Sequence, residues 1–318
     1  MARRELGPAA LRVASAVAAA LPAGDLVVGC SGGADSTALA LGAGWAARRT
    51  GASVRVTVVD HGLQPGSAVV AAQVADRLTA AGLRVEVRRV EVTDRGEGIE
   101  AAARDARLAA LAEPGLPVLL GHTLDDQAES VLLGLLRGSG TRSLAGMASV
   151  RGPFHRPLLG VRRADTEAAC RDWGIEWWAD PMNQDPAFAR VRTRAWLADA
   201  SAAFGRDLAP ALARTAALAR ADADLLDDLA ADVAAGEEAD AAAVGALPDA
   251  LRGRVLLAWL RRHGVAADAG HVAAVDTLLG RWRGQGPIAV PGGTVRRHDG
   301  LLLFEGSGAP GAGEGPAR

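Results

Sequence analysis

Short apolar runs alternate with longer stretches of helical periodicity through the first part of the chain. The apolar runs, which predict buried strands, lie at 26–29, 54–59, 85–92 and 118–120. The stretches that follow them repeat apolar residues every three to four positions and predict helices at 37–49, 67–81, 99–111 and 123–137. This alternation is typical of an α/β fold with a parallel sheet, in which ligands bind beyond the carboxyl ends of the strands.

The pattern changes near residue 200. Alanine-rich helices are predicted at 209–235, 248–263 and 271–282, and three short alternating segments at 288–290, 294–297 and 301–304 predict a small β-hairpin cap. We therefore predict an α/β domain at 1–200 and a smaller, mainly helical domain with a hairpin at 201–305. The Gly/Pro/Ala-rich composition of 306–318 predicts a disordered tail.

The N-terminal apolar stretch at 13–21 follows two arginines and is similar to a secretory signal peptide. Because Glu5 and Arg12 interrupt it, we expect an amphipathic first helix and a cytoplasmic protein, with a secreted product as the alternative. No apolar run is long enough to span a membrane.

Composition excludes several kinds of chemistry. The net charge of −2 gives no general attraction to nucleic acid, so RNA binding would need a local arginine patch. All 35 basic residues are arginine, which excludes a lysine Schiff base and a lysine general base. Two cysteines, Cys30 and Cys170, are too few for a disulfide framework or a cysteine-rich metal site.

The most informative motif follows the first predicted strand and consists of Ser31, Gly32, Gly33, Ala34, Asp35 and Ser36. A glycine turn between a strand and a helix start directs backbone N–H groups and hydroxyls toward one point, where phosphate binds well. The same residues also build tight turns that bind no ligand. Asp35 favours the functional interpretation, because a carboxylate in an anion-binding turn requires a metal ion or an arginine nearby.

This hexapeptide resembles the pyrophosphate loop of the N-type ATP pyrophosphatases, which have a Rossmann-like PP-loop fold, cleave ATP between the α and β phosphates, and adenylate a substrate. It is not a Walker loop, which requires a lysine that the chain lacks. The resemblance implies ATP as co-substrate and Mg²⁺ as its counter-ion.

Three carboxylates, Asp125, Asp126 and Glu129, lie at the start of the helix predicted at 123–137. Acidic residues favour helix N-termini, so capping alone could explain them. However, they follow a strand end and would therefore share a sheet edge with Asp35, where so many acids require Mg²⁺ or an amine. Both interpretations stay open at this point.

Further motifs narrow the resemblance. The hexapeptide is followed by DHGLQ at 60–64, GHTLDDQAESVLLGLLRGSG at 121–140, RPLL at 156–159 and DPMN at 180–183. Over residues 26 to about 230, this order resembles the bacterial tRNA(Ile)-lysidine synthetase family. The resemblance implies that the C2 oxygen of the wobble cytidine in a CAU-anticodon isoleucine tRNA attacks the α-phosphate of ATP. The amine of free L-lysine then displaces AMP.

The resemblance also implies roles for single residues. The hexapeptide would hold the ATP phosphates, and Asp35 would bind Mg²⁺, shared with Asp125. Asp60 and His61 would lie near the adenosine, although His61 is also a candidate turn residue. Asp126 and Glu129 would bind the lysine amine.

Arginines are implicated as well. Arg104 belongs to an E-x-x-A-R-x-x-R element and would stabilise charge near the α-phosphate or the cytosine, with a helix-surface ion pair as the alternative. Arg190, Arg192 and Arg194 suit tRNA phosphates if extended, whereas on a helix they could simply be solvated. Val191 replaces the asparagine usual in the family, which leaves the hydrogen bonding there open.

Other functions fit the motifs less well. A tRNA thiolase would need paired catalytic cysteines, and another adenylating synthetase of the NAD or GMP type would need an ammonia source. A non-catalytic nucleotide-binding module would have no use for the three carboxylates. The expected partners are tRNA(Ile) and L-lysine, with no membrane, and a homodimer is one option for the oligomeric state.

Overall fold

The computed structural model describes residues 6–307 apart from 95, 97, 139, 235, 237 and 281. It divides into two compact units, Met1–Arg220 and Ala221–Arg318. The predicted tail lies outside the described residues from residue 308 onward, and the predicted domain bounds stay predictions. Within the described ranges, no helix is long and apolar enough to cross a membrane.

Six strands form the sheet of the first unit. They are β1 (Leu26–Cys30), β2 (Val54–Asp60), β3 (Arg84–Arg89), β4 (Val118–Leu120), β5 (Val150–Arg151) and β6 (Phe154–His155). Their order is β3-β2-β1-β4-β6-β5, and every neighbouring pair is parallel except β5 with β6. The predicted parallel α/β fold is confirmed. The third strand ends at Arg89 rather than at residue 92, and two-residue strands such as β5 and β6 are too short to show a period.

The helices up to residue 233 belong mainly to the first unit, and the last of them extends past its boundary at Arg220. They are α1 (Pro8–Ala19), α2 (Ala34–Thr50), α3 (Ser67–Ala80), α4 (Ile99–Ala112), α5 (Leu124–Leu136), α6 (Gly140–Leu144), α7 (Arg163–Trp173), α8 (Ala189–Ala203) and α9 (Ala209–Val233), with a 3₁₀ turn at Pro181–Gln184. The predicted first helix and the four helices of the α/β pattern are confirmed. The sequence pattern did not predict α6 or α7.

Alternate residues of β1 enter two different cores, as the pleat of a strand requires. Val28 packs with residues of α1, α2 and α7, whereas Val27 packs with Leu111 of α4. Gly29 lies under α4, where a Cβ would come within 2.7 Å of the Leu111 side chain. Thus α2 and α4 cover opposite faces of the strand that leads into the hexapeptide.

The second unit combines helices with a small antiparallel sheet. Its elements are β7 (Ala239–Asp240), α10 (Ala241–Gly245), α11 (Asp249–Arg262), α12 (Ala269–Gly280), β8 (Ile288–Val290), β9 (Gly293–His298) and β10 (Leu301–Gly306). The sheet order is β7-β10-β9-β8. Trp259, Leu256 and Leu278, all 0% exposed, form part of its core. The predicted helices and hairpin are confirmed, and β7 adds a fourth strand.

Candidate functional site

The hexapeptide forms the turn from β1 into α2. The Ser36 hydroxyl accepts the backbone N–H of Ser31 at 3.1 Å and donates to the carbonyl of Gly33 at 3.1 Å. Gly32 has a φ of +87°, and a Cβ there would lie 2.4 Å from a methyl carbon of Val74. Only glycine fits this position. The turn therefore presents the free N–H groups of the first turn of α2, as the sequence predicts.

Two other segments hold this turn in place. The backbone N–H of Trp178 donates to the carbonyl of Gly32 at 2.8 Å. At Gly121, the residue after β4, a Cβ would lie 3.0 Å from the backbone of Ser36. The contact through Trp178 has no sequence signal, because it uses a backbone group that every non-proline residue has.

Asp35, in the first turn of α2, faces an arginine and a threonine. Its Oδ2 accepts from Nε of Arg163 at 3.2 Å, and its Oδ1 accepts from the hydroxyl of Thr166. Burial raises the pKa of Asp35, while the Thr166 hydrogen bond and the Arg163 charge oppose that rise. From the sequence we expect a metal ion or an arginine near Asp35, and in the structure the cation beside it is Arg163.

The same arginine also reaches the start of α5. Nη2 of Arg163 lies 2.6 Å from Oδ1 of Asp126, and Nη1 lies 3.4 Å from Oε1 of Glu129. Glu129 is only 2% exposed and also accepts from Nε of Arg194 at 2.8 Å. We call Asp35, Asp126 and Glu129 the acidic array. Its three carboxylates converge on one cationic side chain beside the phosphate-type turn.

Asp126 also caps its helix. Its Oδ2 accepts from the N–H of Thr123 at 2.8 Å and from the Thr123 hydroxyl at 3.0 Å, and its own N–H donates to that hydroxyl at 3.4 Å. Of the two interpretations that the sequence left open, helix capping is therefore confirmed for Asp126, and the binding of a substrate cation stays a prediction. One oxygen completes a capping box, and the other faces Arg163.

Asp125 points to a different arginine. It accepts from Nη2 of Arg162 at 2.8 Å and from the backbone N–H of Arg163 at 2.8 Å. Burial would raise the pKa of Asp125, but these hydrogen bonds outweigh it and lower the pKa. Among the described residues, no group of three or more His, Cys, Asp or Glu side chains is arranged to hold a metal. The metal role of Asp125 stays a prediction.

At the end of β2, the two predicted adenosine residues differ. Asp60 is 4% exposed, and its Oδ1 accepts the N–H of Gly62 at 2.9 Å. A hydrogen bond from Ser67 is the main cause of its lowered pKa. His61 is half-buried, and its Nδ1 has no partner among the described residues. From the sequence, His61 is a candidate turn residue, but the side chain that stabilises this turn is that of Asp60, which accepts the Gly62 N–H.

The three arginines of the 190–194 segment lie on α8, so the helical alternative is the one found. Arg192 donates to the carbonyls of Pro186 and Ala187 at 2.6 and 2.7 Å, and Arg194 contacts Glu129. Arg190 interacts with Arg104 of α4, whose pKa is lowered by burial and then by the Arg190 charge. Arg104 forms no ion pair with another described residue within the range 6–307, so the surface-pair alternative is not what the structure has. Their tRNA and catalytic roles stay predictions.

Helix α7 carries the residues that the sequence analysis missed. Arg163, Thr166 and Cys170 follow one another at intervals of three and four, so they share one helix face. That face contacts Asp35 and, through the Cys170 thiol, the carbonyl of Ala34 at 3.5 Å. The spacing of these polar and small residues after the RPLL motif was a signal that could have found them.

Comparisons with known proteins first define the class. Residues 9–200 match the family model of the PP-loop domain, and residues 240–303 match that of the TilS substrate binding domain. The parallel sheet and the glycine turn agree with the first match. These features define a PP-loop enzyme that uses ATP.

Curated relatives define the family. The tRNA(Ile)-lysidine synthase of Cutibacterium acnes is 47% identical over 312 residues, which cover 96% of this chain and 99% of that protein. The enzyme of the same name from Nocardia farcinica is 50% identical over 279 residues, covering 85% and 86%. The chain belongs to the tRNA(Ile)-lysidine synthase family.

A solved structure agrees on the fold. The U34-tRNA thiolase NcsA from Methanococcus maripaludis superposes with a TM-score of 0.54 at 14% identity, over 67% of this chain and 79% of that one. At this identity the likeness shows a common fold alone.

Proposed function

We propose that this protein ligates free L-lysine to C2 of the wobble cytidine in CAU-anticodon tRNA(Ile), with ATP converted to AMP and pyrophosphate. The observation that carries the proposal is the convergence of Asp35, Asp126 and Glu129 on one cationic side chain beside the glycine turn. A site built this way suits a phosphate and an ammonium group at once. The names of the curated relatives support the tRNA and the product.

In the first step, the cytosine C2 oxygen bonds to the α-phosphorus, and the bond from that phosphorus to the bridging oxygen breaks. Pyrophosphate leaves with the electron pair. The N–H groups at the start of α2 and the exposed hydroxyl of Ser31 hold phosphate oxygens, and Arg104 stabilises the added negative charge. Asp35 and the serine hydroxyls are hard oxygen ligands that fit Mg²⁺, which would neutralise phosphate charge when bound.

In the second step, the lysine ammonium transfers a proton to one of the carboxylates that hold it, and the neutral ε-amine attacks C2. The bond from C2 to the adenylate oxygen breaks, and AMP leaves with that oxygen and the electron pair. Asp126 and Glu129 hold the ammonium by charge-assisted hydrogen bonds, which orient its nitrogen before it loses a proton. Glu129 is buried, so water screens its charge little. The two carboxylates lie in adjacent turns of α5, which suits one primary ammonium with three N–H donors.

The cysteines do not support the thiolase alternative. Cys30 is 4% exposed and Cys170 is 0% exposed. Burial raises the pKa of both thiols, that of Cys170 to about 12. Since the thiolate is the reactive form, both thiols are inert at neutral pH.

We also propose that the protein acts in the cytoplasm, where ATP, lysine and tRNA are present together. The homodimer stays a prediction.

One assay tests the proposal. The protein is incubated with ATP, L-lysine and CAU-anticodon tRNA(Ile), the RNA is digested, and its nucleosides are analysed by mass spectrometry. We expect a lysine-dependent mass gain on cytidine that needs ATP and is lost in Glu129→Gln. A folded wild-type protein that gives no such gain contradicts the proposal, and a sulfur-dependent gain would favour the thiolase.

A further inference from the structure

A second group of charged side chains has the opposite sign to the acidic array. It consists of Arg104, Arg107, His122, Arg156 and Arg190, which we call the basic cluster. Arg104 and Arg107 are three residues apart and share a face of α4. His122 follows β4, and Arg156 follows β6. Strands β4 and β6 are parallel neighbours, with Leu119 paired to His155. Their carboxyl ends therefore place His122 and Arg156 at the same edge of the sheet.

Buried polar atoms in this cluster lack partners. Arg156 is 8% exposed, and its Nη1 donates to the carbonyl of Ala148 at 2.9 Å, but its Nε has no partner among the described residues. The same holds for Nε of Arg107 and Nδ1 of His122. A buried donor without an acceptor costs about 1–3 kcal/mol, more if charged. Several such atoms in one place indicate that an acceptor from a ligand completes them.

The positive charges are close enough to affect one another. Burial, then Arg104 and Arg190, lower the pKa of Arg107, and burial, then Arg104, lower the pKa of Arg156. Elsewhere in the site, arginines such as Arg163 are paired with carboxylates. Over the described part of the chain, none of the four arginines of the basic cluster forms an ion pair. The cluster therefore has a surplus of positive charge that only an anion can offset.

Acidic neighbours do not remove this surplus. Asp126 opposes the lowering of the His122 pKa, and Asp105 and Glu100 oppose that of Arg104. Burial and the neighbouring arginines outweigh these acids, so the pKa of both Arg104 and His122 is lowered. With a pKa of about 4, His122 is neutral at pH 7. The positive charge of the cluster is thus carried by guanidinium groups, which bind phosphate in a planar, two-pronged geometry.

We propose that Arg107, Arg156 and Arg190 of the basic cluster form a binding site for a phosphodiester of the RNA substrate, separate from the turn that holds the ATP phosphates and beside Arg104, which serves the α-phosphate. This proposal rests on the proposed function in one respect, which is that the substrate is an RNA. The glycine turn already supplies N–H donors for the nucleotide. The cluster instead joins α4 to Arg190 of α8, so it offers guanidinium groups from three places, α4, the end of β6 and α8, to one backbone phosphate.

The test uses the full chain and a synthetic RNA stem-loop that carries the CAU anticodon loop, without ATP or lysine. Binding is followed by fluorescence anisotropy across a range of salt concentrations. Arg107→Met should weaken RNA binding roughly threefold to tenfold and reduce the slope of log Kd against log salt by about 1. Arg107→Lys should keep the slope, because it keeps the charge.

The matched control is Arg12→Met, which removes the same charge from an exposed ion pair with Asp165. It should leave both RNA affinity and slope unchanged. Affinity for a non-hydrolysable ATP analogue, measured by calorimetry, should stay within about twofold in Arg107→Met. Circular dichroism confirms that each variant is folded, and Arg190→Met replaces Arg107→Met if the latter is not.

Two results would overturn the proposal: an unchanged RNA affinity and salt slope in a folded variant, or a loss confined to the ATP analogue. These readouts do not depend on catalysis. If the salt slope changes as expected but no lysine-dependent mass gain on cytidine is found, the phosphate site is supported and the proposed reaction is contradicted.

Discussion

Nη2 of Arg163 lies 2.6 Å from Oδ1 of Asp126, and the same guanidinium reaches Asp35 and Glu129. One side chain of α7 therefore links the start of α2 to the start of α5. The acids raise the pKa of Arg163 against the effect of burial, which shows that they stabilise its charge. The geometry makes Arg163 the shared counter-charge of the acidic array.

Replacement of Arg163 by methionine should destabilise the fold, because it leaves three carboxylates without that counter-charge. We expect the free energy of unfolding to fall by about 3 kcal/mol, measured by urea denaturation near pH 7.5. Arg12→Met breaks the exposed pair with Asp165, whose side chains are 57% and 32% exposed, and should cost less than about 1 kcal/mol. Equal losses in the two variants would contradict the assigned role.

The two half-reactions should separate by mutation. Asp126→Asn keeps an oxygen for the Thr123 cap but loses the charge, so pyrophosphate release should persist in part while lysine transfer falls roughly 10- to 100-fold. Asp35→Asn should abolish pyrophosphate release. Release is measured by a coupled colorimetric assay and transfer by nucleoside mass. If Asp126→Asn lowered both steps equally, its assignment to the lysine would be wrong.

The buried His122 should make stability depend on pH. Its folded pKa of about 4 lies below the ordinary 6.5, so between these values the unfolded chain binds more protons. The stability that the neutral, buried His122 contributes to the free energy of unfolding is therefore complete above about pH 6.5. It is lost as the pH falls toward 4. Between about pH 7.5 and pH 5, the wild type should lose about 2 kcal/mol more than His122→Gln, as measured by urea unfolding. Parallel pH profiles would show that His122 is not buried in its neutral form.

The thiols should be dispensable for the reaction. Cys170→Ala removes a buried group that contacts the Ala34 carbonyl, so we expect a loss of about 1 kcal/mol in stability. Lysine-dependent modification of cytidine should stay within about twofold of the wild type. A folded variant without activity would bring back a cysteine-dependent mechanism.

The sheet and the glycine turn could be predicted because their signals are local. The apolar runs of β1 and β4 and the glycines between β1 and α2 lie within a few residues of one another. The acidic residues at the start of α5 were also visible, although spacing alone could not distinguish capping from binding. In the structure, one oxygen of Asp126 caps the helix and the other contacts Arg163, so the helix cap is confirmed and the binding role stays a prediction.

The apolar pattern did not predict helix α7, and the spacing of polar residues on its face does not identify the partner of Arg163. Among the 11 residues of α7, only Thr166, Ala169 and Cys170 are buried. The helix therefore has too few buried apolar residues to show a helical period. The partners Arg163 and Asp35 are 128 residues apart, and no periodicity encodes a contact over that distance. Such ion pairs follow from tertiary packing, which brings α7 against the start of α2.

Among the residues that the structure describes, the two cations that reach Glu129 are arginines, Arg163 and Arg194, and the sequence has no lysine. A guanidinium keeps its proton beyond about pH 12, whereas the ammonium of lysine has a pKa of about 10.4. When lysine enters the acidic array, its nitrogen is therefore the cation there that most readily becomes a neutral nucleophile. The arginine-only protein neutralises its own carboxylates without supplying a competing amine.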